Sequence, residues 1–250
     1  MSIRTILVSQ PKPVSENSPY FELAKKYNLT IDFRPFIQVE GAKAKEVRKQ
    51  RVNFEDYSAV IFTSKVAVDH FFRIAEEIRY EIPDSLKYFC ISEAIALYLQ
   101  KYVVYRKRKI FFGKQNIVHL ADVMKKHKNE KFLLPCTDIL RNRIPETLSK
   151  YNFDFEKVIL YRTVAADLSD LSDVKYDMLV FYSPGGIESL FKNFPHFKQN
   201  NTFIAAFGAT TAKAVQDKNL RVDLHAPQPN APSMVGGIEL FIKSLSAKSA

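Results

Sequence analysis

Four hydroxyl residues, Ser64, Ser92, Ser183 and Thr210, each stand just past a short apolar run or at the start of an amphipathic one. A hydroxyl in that position accepts a backbone N–H and caps the following helix, or it joins those N–H groups in holding an anion. Both readings are open at any single position; four converging on one cleft would favour binding. At Ser183-Pro184-Gly185-Gly186 the chain places two of its seven glycines at the mouth of a helix. Two glycines there suit a tight turn or a close approach of bare backbone to a ligand. The stretch lacks the lysine and the longer spacing of a P-loop.

Other chemistry is less visible. Cys90 and Cys136 lie in apolar segments at no metal-ligand spacing, which predicts buried free thiols and neither a disulfide framework nor a metal site. The formal charge is +10 and the sequence pI about 9.4, so an anionic partner is expected: nucleic acid, an anionic membrane or a polyanionic small molecule. The densest basic run, Arg106 to Lys109, reads as a solvated strand end or loop. A composition of 46% hydrophobic and 26% charged residues is that of an ordinary globular protein. No apolar run approaches the roughly 18 residues of a membrane span. The chain enters a strand-like run at Ile3 without the apolar core of a signal peptide, so a cytoplasmic location is expected.

The elements that must position these residues repeat. Tyr57 to Phe72 (YSAVIFTSKVAVDHFF) lies over Tyr176 to Phe191 (YDMLVFYSPGGIESLF), with Tyr57/Tyr176, Phe62/Phe181, Ser64/Ser183 and Phe72/Phe191 identical. Pro11 through Lys26-Tyr27-Asn28 matches Pro135 through Lys150-Tyr151-Asn152 at the same spacing, each copy reading as strand, Pro, loop, amphipathic helix, strand. A fainter match sets Phe89–Leu99 against Ala205–Val215. The runs Leu7–Ser9, Ala59–Phe62, Phe132–Leu134, Leu179–Phe181 and Phe203–Phe207 are short and apolar enough for central strands. Helices are predicted over Tyr20–Tyr27, Val66–Ile78, Glu93–Gln100, Ile117–Lys126, Ile139–Lys150, Gly186–Phe194, Thr210–Lys218 and Met234–Ser244. The alternation predicts α/β architecture: two similar domains, each a parallel β-sheet flanked by helices. In such sheets ligands gather beyond the carboxyl ends of the strands, where all the repeated turns fall.

The pattern Phe62-Thr63-Ser64-x-x-Ala67-Val68, Pro135-Cys136 followed by Arg141, Tyr161-Arg162-Thr163, Phe181-Tyr182-Ser183-Pro184-x-Gly186 and Gly208-x-Thr210-Thr211-Ala212 resembles the uroporphyrinogen-III synthase family. The resemblance spans nearly the whole chain, and its specificity lies in the order and spacing of motifs that are each common alone. It implies two domains, residues 1–36 plus 166–250 and residues 37–165, joined by extended connectors at Phe36–Glu40 and Leu160–Ala165. Repetition alone would divide the chain near residue 115. It also implies a cofactor-independent lyase that cyclises hydroxymethylbilane, a linear tetrapyrrole with eight carboxylates, to uroporphyrinogen III with inversion of ring D and loss of water. The protein's task is then to hold the chain in the pose that favours the harder closure.

By the same resemblance Tyr161 is the proton donor, protonated at neutral pH as an ordinary phenol is; its other reading is a packing role between domains. Ser64, Lys65, Ser92, Arg141, Ser183, Gly185, Gly186, Thr210 and Thr211 are expected to hold substrate carboxylates. Thr210 also suits a simple N-cap, Lys65 an ordinary surface lysine, and Arg141 a surface pair with Glu146. Two positions depart from the family: Ser9-Gln10-Pro11 replaces Thr-Arg-Pro, with Lys12 nearby, and Ser92-Glu93-Ala94-Ile95-Ala96 replaces Gly-x-x-Thr-Ala. No metal, nucleic acid or membrane partner is expected, and a monomer is. The competing readings are a non-catalytic cytoplasmic binder of a small polyanion and, on charge alone, a nucleic-acid-binding protein.

Overall fold

Apolar runs of three to six residues bounded by turns become strands, and the amphipathic stretches between them become covering helices, in a computed structural model that describes residues 3–139, 143–171 and 175–248. The chain forms two compact units, Met1–Gln38 with Val164–Ala250, and Val39–Thr163.

The chain opens with β1 (Thr5–Val8), α1 (Pro19–Tyr27) and β2 (Thr30–Phe33), then passes through β3 (Ile37–Gly41). There follow α2 (Ala44–Lys49), β4 (Ala59–Phe62), α3 (Lys65–Ile78), β5 (Lys87–Cys90), α4 (Glu93–Tyr98), β6 (Ile110–Phe112), α5 (Ile117–Met124), β7 (Phe132–Thr137) and α6 (Arg143–Lys150). The long strand β8 (Phe155–Ala165) leads back to β9 (Met178–Phe181), α7 (Pro184–Asn193), β10 (Phe203–Phe207), α8 (Ala209–Asp217), β11 (Leu224–Ala226) and α9 (Met234–Lys248).

In the first unit the strands are parallel in the order β11-β10-β9-β1-β2. Ile6, Val8, Met178 and Val180 meet Leu23 of α1 and Met234 and Ile238 of α9 on one face. Leu7, Leu179, Phe181 and Ile204 meet Ile187 and Leu190 of α7 and Val215 of α8 on the other. A strand buried on both faces cannot alternate apolar with polar, which is why these runs are continuously apolar. Each such side chain contributes about 1.5–3 kcal/mol relative to remaining exposed.

The second unit has the order β3-β8-β7-β4-β5-β6. From β8 to β6 it is parallel. The Ala42 N–H donates to the Leu160 carbonyl and the Ala166 N–H to the Phe36 carbonyl, so β3 runs antiparallel to β8. One face packs against Ala67, Phe71 and Ile74 of α3 and the other against Leu120 and Met124 of α5.

The sequence repeat has physical counterparts. Asn28 and Asn152, ending the two Lys-Tyr-Asn matches, both take left-handed conformations at φ 51° and 55°. The residue after each donates to the carbonyl five back, Leu29 to Ala24 and Phe153 to Leu148, closing both helices alike. Ser58 and Asp177, second in the Tyr-led matches, accept the N–H of Lys131 and Arg4 respectively, each just ahead of a neighbouring strand. Yet the copies do not coincide with the units. β1 matches β7, β4 matches β9 and β5 matches β10, so each copy is divided between the two units, and either unit reads as the same parallel order with its chain entry moved.

Most predicted boundaries move by one to four residues, and three of the shifts bear on the site. Pro135 lies inside β7 instead of ending it, whereas Pro11 follows β1. Helix α6 is seen from Arg143, and Ile139 stands exposed in a bend ahead of it. Helix α8 starts at Ala209, with Gly208 at its N-cap at φ 84°, so Thr210 is the second helical residue and not the cap. A glycine can take that φ without a Cβ clash, which threonine cannot.

Candidate functional site

Tyr161 sits on β8 opposite an irregularity: Cys136 pairs with Ile159, but Thr137 pairs with Tyr161, leaving Leu160 as an extra residue. A bulge of this kind re-aims a side chain. Val158 and Leu160 point into the core under α3 as alternate residues should, and the bulge brings Tyr161 to that same core. Its ring is buried, at 8% exposure. The hydroxyl shares a hydrogen bond of 3.3 Å with Ser64 Oγ.

Ser64 is the N-cap of α3, extended at φ −156°, and its Oγ accepts the Ala67 N–H at 3.0 Å. Burial raises the Tyr161 pKa above that of a free phenol, the Ser64 bond pulls it down, and Cys136 adds a small upward push. The phenol is therefore protonated at neutral pH, and Ser64, the polar group bonded to its oxygen among the described residues, connects it to a helix N-terminus, whose partial positive charge favours a developing anion.

A neighbour unseen in the sequence completes this corner. His70, on the next turn of α3, stacks its ring on Tyr161 at 5.3 Å between centroids and 19° between planes. Its Nδ1 accepts from Arg73 Nε at 3.1 Å. Arg73 in turn donates to the Ala42 carbonyl at 2.8 Å and pairs with Glu77. The only advance signs are the i, i+3, i+7 spacing of residues 70, 73 and 77, which puts them on one helix face, and a glycine at 41. A Cβ on Gly41 would lie 2.9 Å from His70 Cε1 and 2.8 Å from Arg73 Nη2.

Lys65 is the first residue of α3, exposed, with its ammonium 5.1 Å from the Tyr98 ring. A cation at a helix N-terminus opposes the helix dipole, and the aromatic face offsets part of that cost. Ser92 occupies the N-cap position of α4 and is buried, with no side-chain cap bond among the described residues. That helix has six residues, and Glu93 is exposed in its first turn. Arg141 lies outside the described residues.

In the first unit, Ser183, Gly185 and Gly186 follow β9, and Thr210 and Thr211 follow β10, its parallel neighbour. Ser183 has nearly the backbone of Ser64, at φ −153°, but among the described residues it makes no side-chain cap. Gly186 N–H reaches the Ser183 carbonyl at 3.1 Å, and among the described residues the hydroxyl is uncommitted. Gly185 is half-buried and Gly186 buried; a Cβ on the latter would meet Phe181 Cδ1 at 3.1 Å and Ser9 Oγ at 3.6 Å. Thr210 is exposed and Thr211 is 1% exposed. Between Phe181 and Ser183, the Tyr182 hydroxyl lies 2.6 Å from that of Tyr20.

Strand order gives these positions their meaning. In the first unit the chain leaves β1 toward β2 and β9 toward β10, so the carboxyl ends of β1 and β9 form a switch point, bordered by Ser9 and Ser183. In the second, β7 and β4 form the equivalent point, bordered by Ser64. Such points are where open α/β sheets bind ligands. Lys12, beside the Ser9-Gln10-Pro11 departure, lies 6.0 Å over Phe21. The basic run turns into β6, with Arg106 and Lys109 paired to Asp84 at 3.4 and 3.5 Å, as a strand-end loop should. Among the described residues no group of three His, Cys, Asp or Glu could hold a metal, and no helix is long and apolar enough to cross a membrane.

Fold and site thus define a parallel α/β protein of two related units, with hydroxyls and helix N-termini at the ligand edge of each sheet and a buried phenol in one. The sequence profile of the family described as Uroporphyrinogen-III synthase HemD matches residues 18–236. The chain belongs to the uroporphyrinogen-III synthase family. A uroporphyrinogen-III synthase of Chlorobaculum parvum (strain DSM 263 / NCIMB 8327) is 21% identical over 263 residues, covering 96% of this chain and 100% of that one. The crystal structure of uroporphyrinogen-III synthetase from Helicobacter pylori 26695 matches at TM-score 0.58 and 17% identity, over 98% of this chain and 100% of that chain. A mutant uroporphyrinogen III synthase from the extremely thermophilic bacterium Thermus thermophilus matches at TM-score 0.51 and 14% identity, over 96% of this chain and 99% of that chain. At those identities the structures speak for the fold. The family resemblance read from the motifs holds, and with it the reading of the chain as a lyase of tetrapyrrole synthesis.

Proposed function

We propose that the chain cyclises hydroxymethylbilane to uroporphyrinogen III with Tyr161 as the proton donor. The observation that carries the activity is the family match over residues 18–236. What supports Tyr161 is its buried, protonated phenol, bonded to the N-cap of α3. The terminal pyrrole nitrogen pushes out the hydroxyl, which takes the Tyr161 proton and leaves as water. The resulting azafulvene is attacked by the substituted carbon of ring D to give a spiro intermediate. That intermediate reopens and closes at the other α-carbon, and the proton lost as ring D regains aromaticity restores the phenol. The phenolate formed between these steps is stabilised by a donated Ser64 hydroxyl and the helix N-terminus behind it.

The substrate's carboxylates are assigned to Ser64, Lys65, Ser92 and Arg141 in one unit and to Ser183, Gly185, Gly186, Thr210 and Thr211 in the other. In this reading the uncommitted Ser183 hydroxyl and the backbone N–H groups of the α7 and α8 N-termini donate to acetate and propionate groups, so few charged anchors are required. The two domains are residues 1–36 plus 166–250 and residues 37–165, and the enzyme works as a cytoplasmic monomer. A non-catalytic polyanion binder is not favoured, because the family match spans most of the chain.

The test is incubation with freshly generated hydroxymethylbilane and determination of the isomer ratio of the oxidised product. Mostly type III product is expected, and type I alone at the spontaneous rate overturns the activity. Tyr161→Phe is expected to slow type III formation at least tenfold with the fold intact, worth about 1.4 kcal/mol or more of transition-state stabilisation. Unchanged turnover removes Tyr161 from the mechanism.

A further inference from the structure

We infer that His70 is a positioning residue for Tyr161: a neutral imidazole plate, locked by Arg73 and admitted by Gly41, that fixes the plane in which the phenol presents its proton. The inference rests on Tyr161 being the acid of the reaction.

Two contacts and one space, from three elements, set the plate. Along α3, Arg73 Nε donates to His70 Nδ1 at 3.1 Å. Arginine does not deprotonate in proteins, so this bond makes Nδ1 the unprotonated nitrogen and places the ring's proton on Nε2. Arg73 is itself fixed by the carbonyls of Ala42 and Leu160, at 2.8 and 3.5 Å, and by Glu77. From β3, Gly41 leaves room that any side chain would fill, since a Cβ there would fall within 2.9 Å of both His70 and Arg73. From β8, the Tyr161 ring lies against the imidazole face at 5.3 Å and 19°.

A stacked imidazole offers no in-line hydrogen bond to the phenol, so it does not relay the proton. What it does is restrict rotation of the phenol ring, and hence the direction of its O–H, while Ser64 holds the oxygen. A leucine would fill the space without defining a plane, and an unlocked histidine would titrate beside the acid. The groups acting on the His70 charge are known: burial and Arg73 disfavour the imidazolium, while Asp69 and Glu77 favour it, and the net direction is downward. All three charges lie on α3. The faces from β8 and β3 are Tyr161 and Gly41, neither charged at neutral pH. The plate therefore stays neutral at neutral pH, and protonating Nδ1 would require breaking the Arg73 bond.

The experiment compares the intact protein with His70→Ala, His70→Phe, Arg73→Gln, the double variant Arg73→Gln/His70→Phe, and Tyr161→Phe. The readouts are the carbon-13 signal of the labelled Tyr161 ring, assigned by its loss in Tyr161→Phe, and kcat and KM for type III formation across pH. In His70→Ala the Tyr161 signal should shift and kcat fall about tenfold, with KM changed less than about twofold, because the substrate contacts remain. His70→Phe should restore both to within about threefold, a flat ring being the feature that matters. Arg73→Gln should introduce an ionisation between about pH 6 and 7 in kcat and in the Tyr161 signal, and the double variant should abolish it. A native Tyr161 signal and native kcat in His70→Ala overturn the inference, as does a His70→Phe variant no better than His70→Ala. The two readings fail separately: if Tyr161→Phe is slow while His70→Ala is native, only the positioning role falls, whereas native turnover in Tyr161→Phe removes the acid role and the inference with it.

Discussion

The Ser64 Oγ lies 3.3 Å from the Tyr161 hydroxyl oxygen while accepting the Ala67 N–H at 3.0 Å. One oxygen thus serves two ends: it closes the first turn of α3, and its own proton is free to point at the phenol. The two roles separate by substitution. Ser64→Ala loses the cap, costing about 1 kcal/mol of stability, and also loses the donor to the phenolate, slowing type III formation about tenfold. Ser64→Asp keeps a good cap but sets a carboxylate against the phenolate, so thermal unfolding should stay near native while turnover falls at least as far. Native turnover in Ser64→Asp excludes a role for Ser64 at the phenol.

Adjacent glycines at the mouth of α7 should respond differently. A Cβ on Gly186 would lie 3.1 Å from Phe181 Cδ1, and Phe181 cannot give way because it is fully buried, edge-on to Phe36 at 5.6 Å. Gly186→Ala is expected to destabilise by about 1–3 kcal/mol through overpacking. At Gly185 the nearest atom is Ile37 Cγ2 at 3.3 Å, and the gain in helix propensity of up to about 1 kcal/mol offsets that contact. Gly185→Ala should therefore unfold at nearly the native temperature. If it does so and yet loses turnover, the backbone there is approached by substrate; if both variants unfold together, the packing account is wrong.

The sheets, the helices beneath them and the serines at the strand ends were legible because they repeat and because buried parallel strands leave continuous apolar runs. The two Lys-Tyr-Asn endings were visible as a spacing, though not as the paired left-handed asparagines they are. What stayed hidden depends on register and on distant neighbours. No local pattern announces the bulge at Leu160, and without it Tyr161 would be expected on the face opposite Leu160. His70 is, in the sequence, one polar residue of an amphipathic helix, and its significance comes from Arg73, Gly41 and Tyr161 together. At Thr210 a substrate contact and a simple cap both suited the sequence, and Gly208 takes the cap through a backbone angle that a sequence does not display.

Asp177 ties two strands at their starts. Its Oδ2 accepts the N–H groups of Arg4 and Thr5 at 2.8 and 2.9 Å and the Thr5 hydroxyl at 3.1 Å. Burial alone would raise this carboxyl, but those hydrogen bonds outweigh it and hold the pKa below the usual carboxylate value. A depressed folded pKa means that the stabilisation is fully present above the unfolded value of about 4 and is lost as pH falls through the folded one. Asp177→Ala should destabilise by roughly 2 kcal/mol at pH 7. The gap to the native protein should narrow on acidification below about pH 4, read by denaturant unfolding at several pH values. A gap independent of pH would show that the carboxylate charge is not what matters.

Cys90 and Cys136 are free thiols at 0% and 2% exposure. Burial pushes Cys90 up to about 12 and Cys136 up to about 11, the latter against a small downward pull from Lys157. Only the thiolate reacts, so near pH 8 both should be inert to a thiol reagent in the folded protein, and both should titrate in denaturant. Their residual reactivities carry different information. Cys90 lies on β5, between β4 and β6, and its exposure should require opening of the unit's sheet. Cys136 pairs with Ile159 at the edge of the bulge that carries Tyr161, where the register is already interrupted. Interrupted ladders open at lower free energy than continuous ones. Cys136 should therefore be modified first under mild denaturant, before global unfolding, and equal rates at the two thiols would mean that the bulge does not weaken β8 where Tyr161 sits.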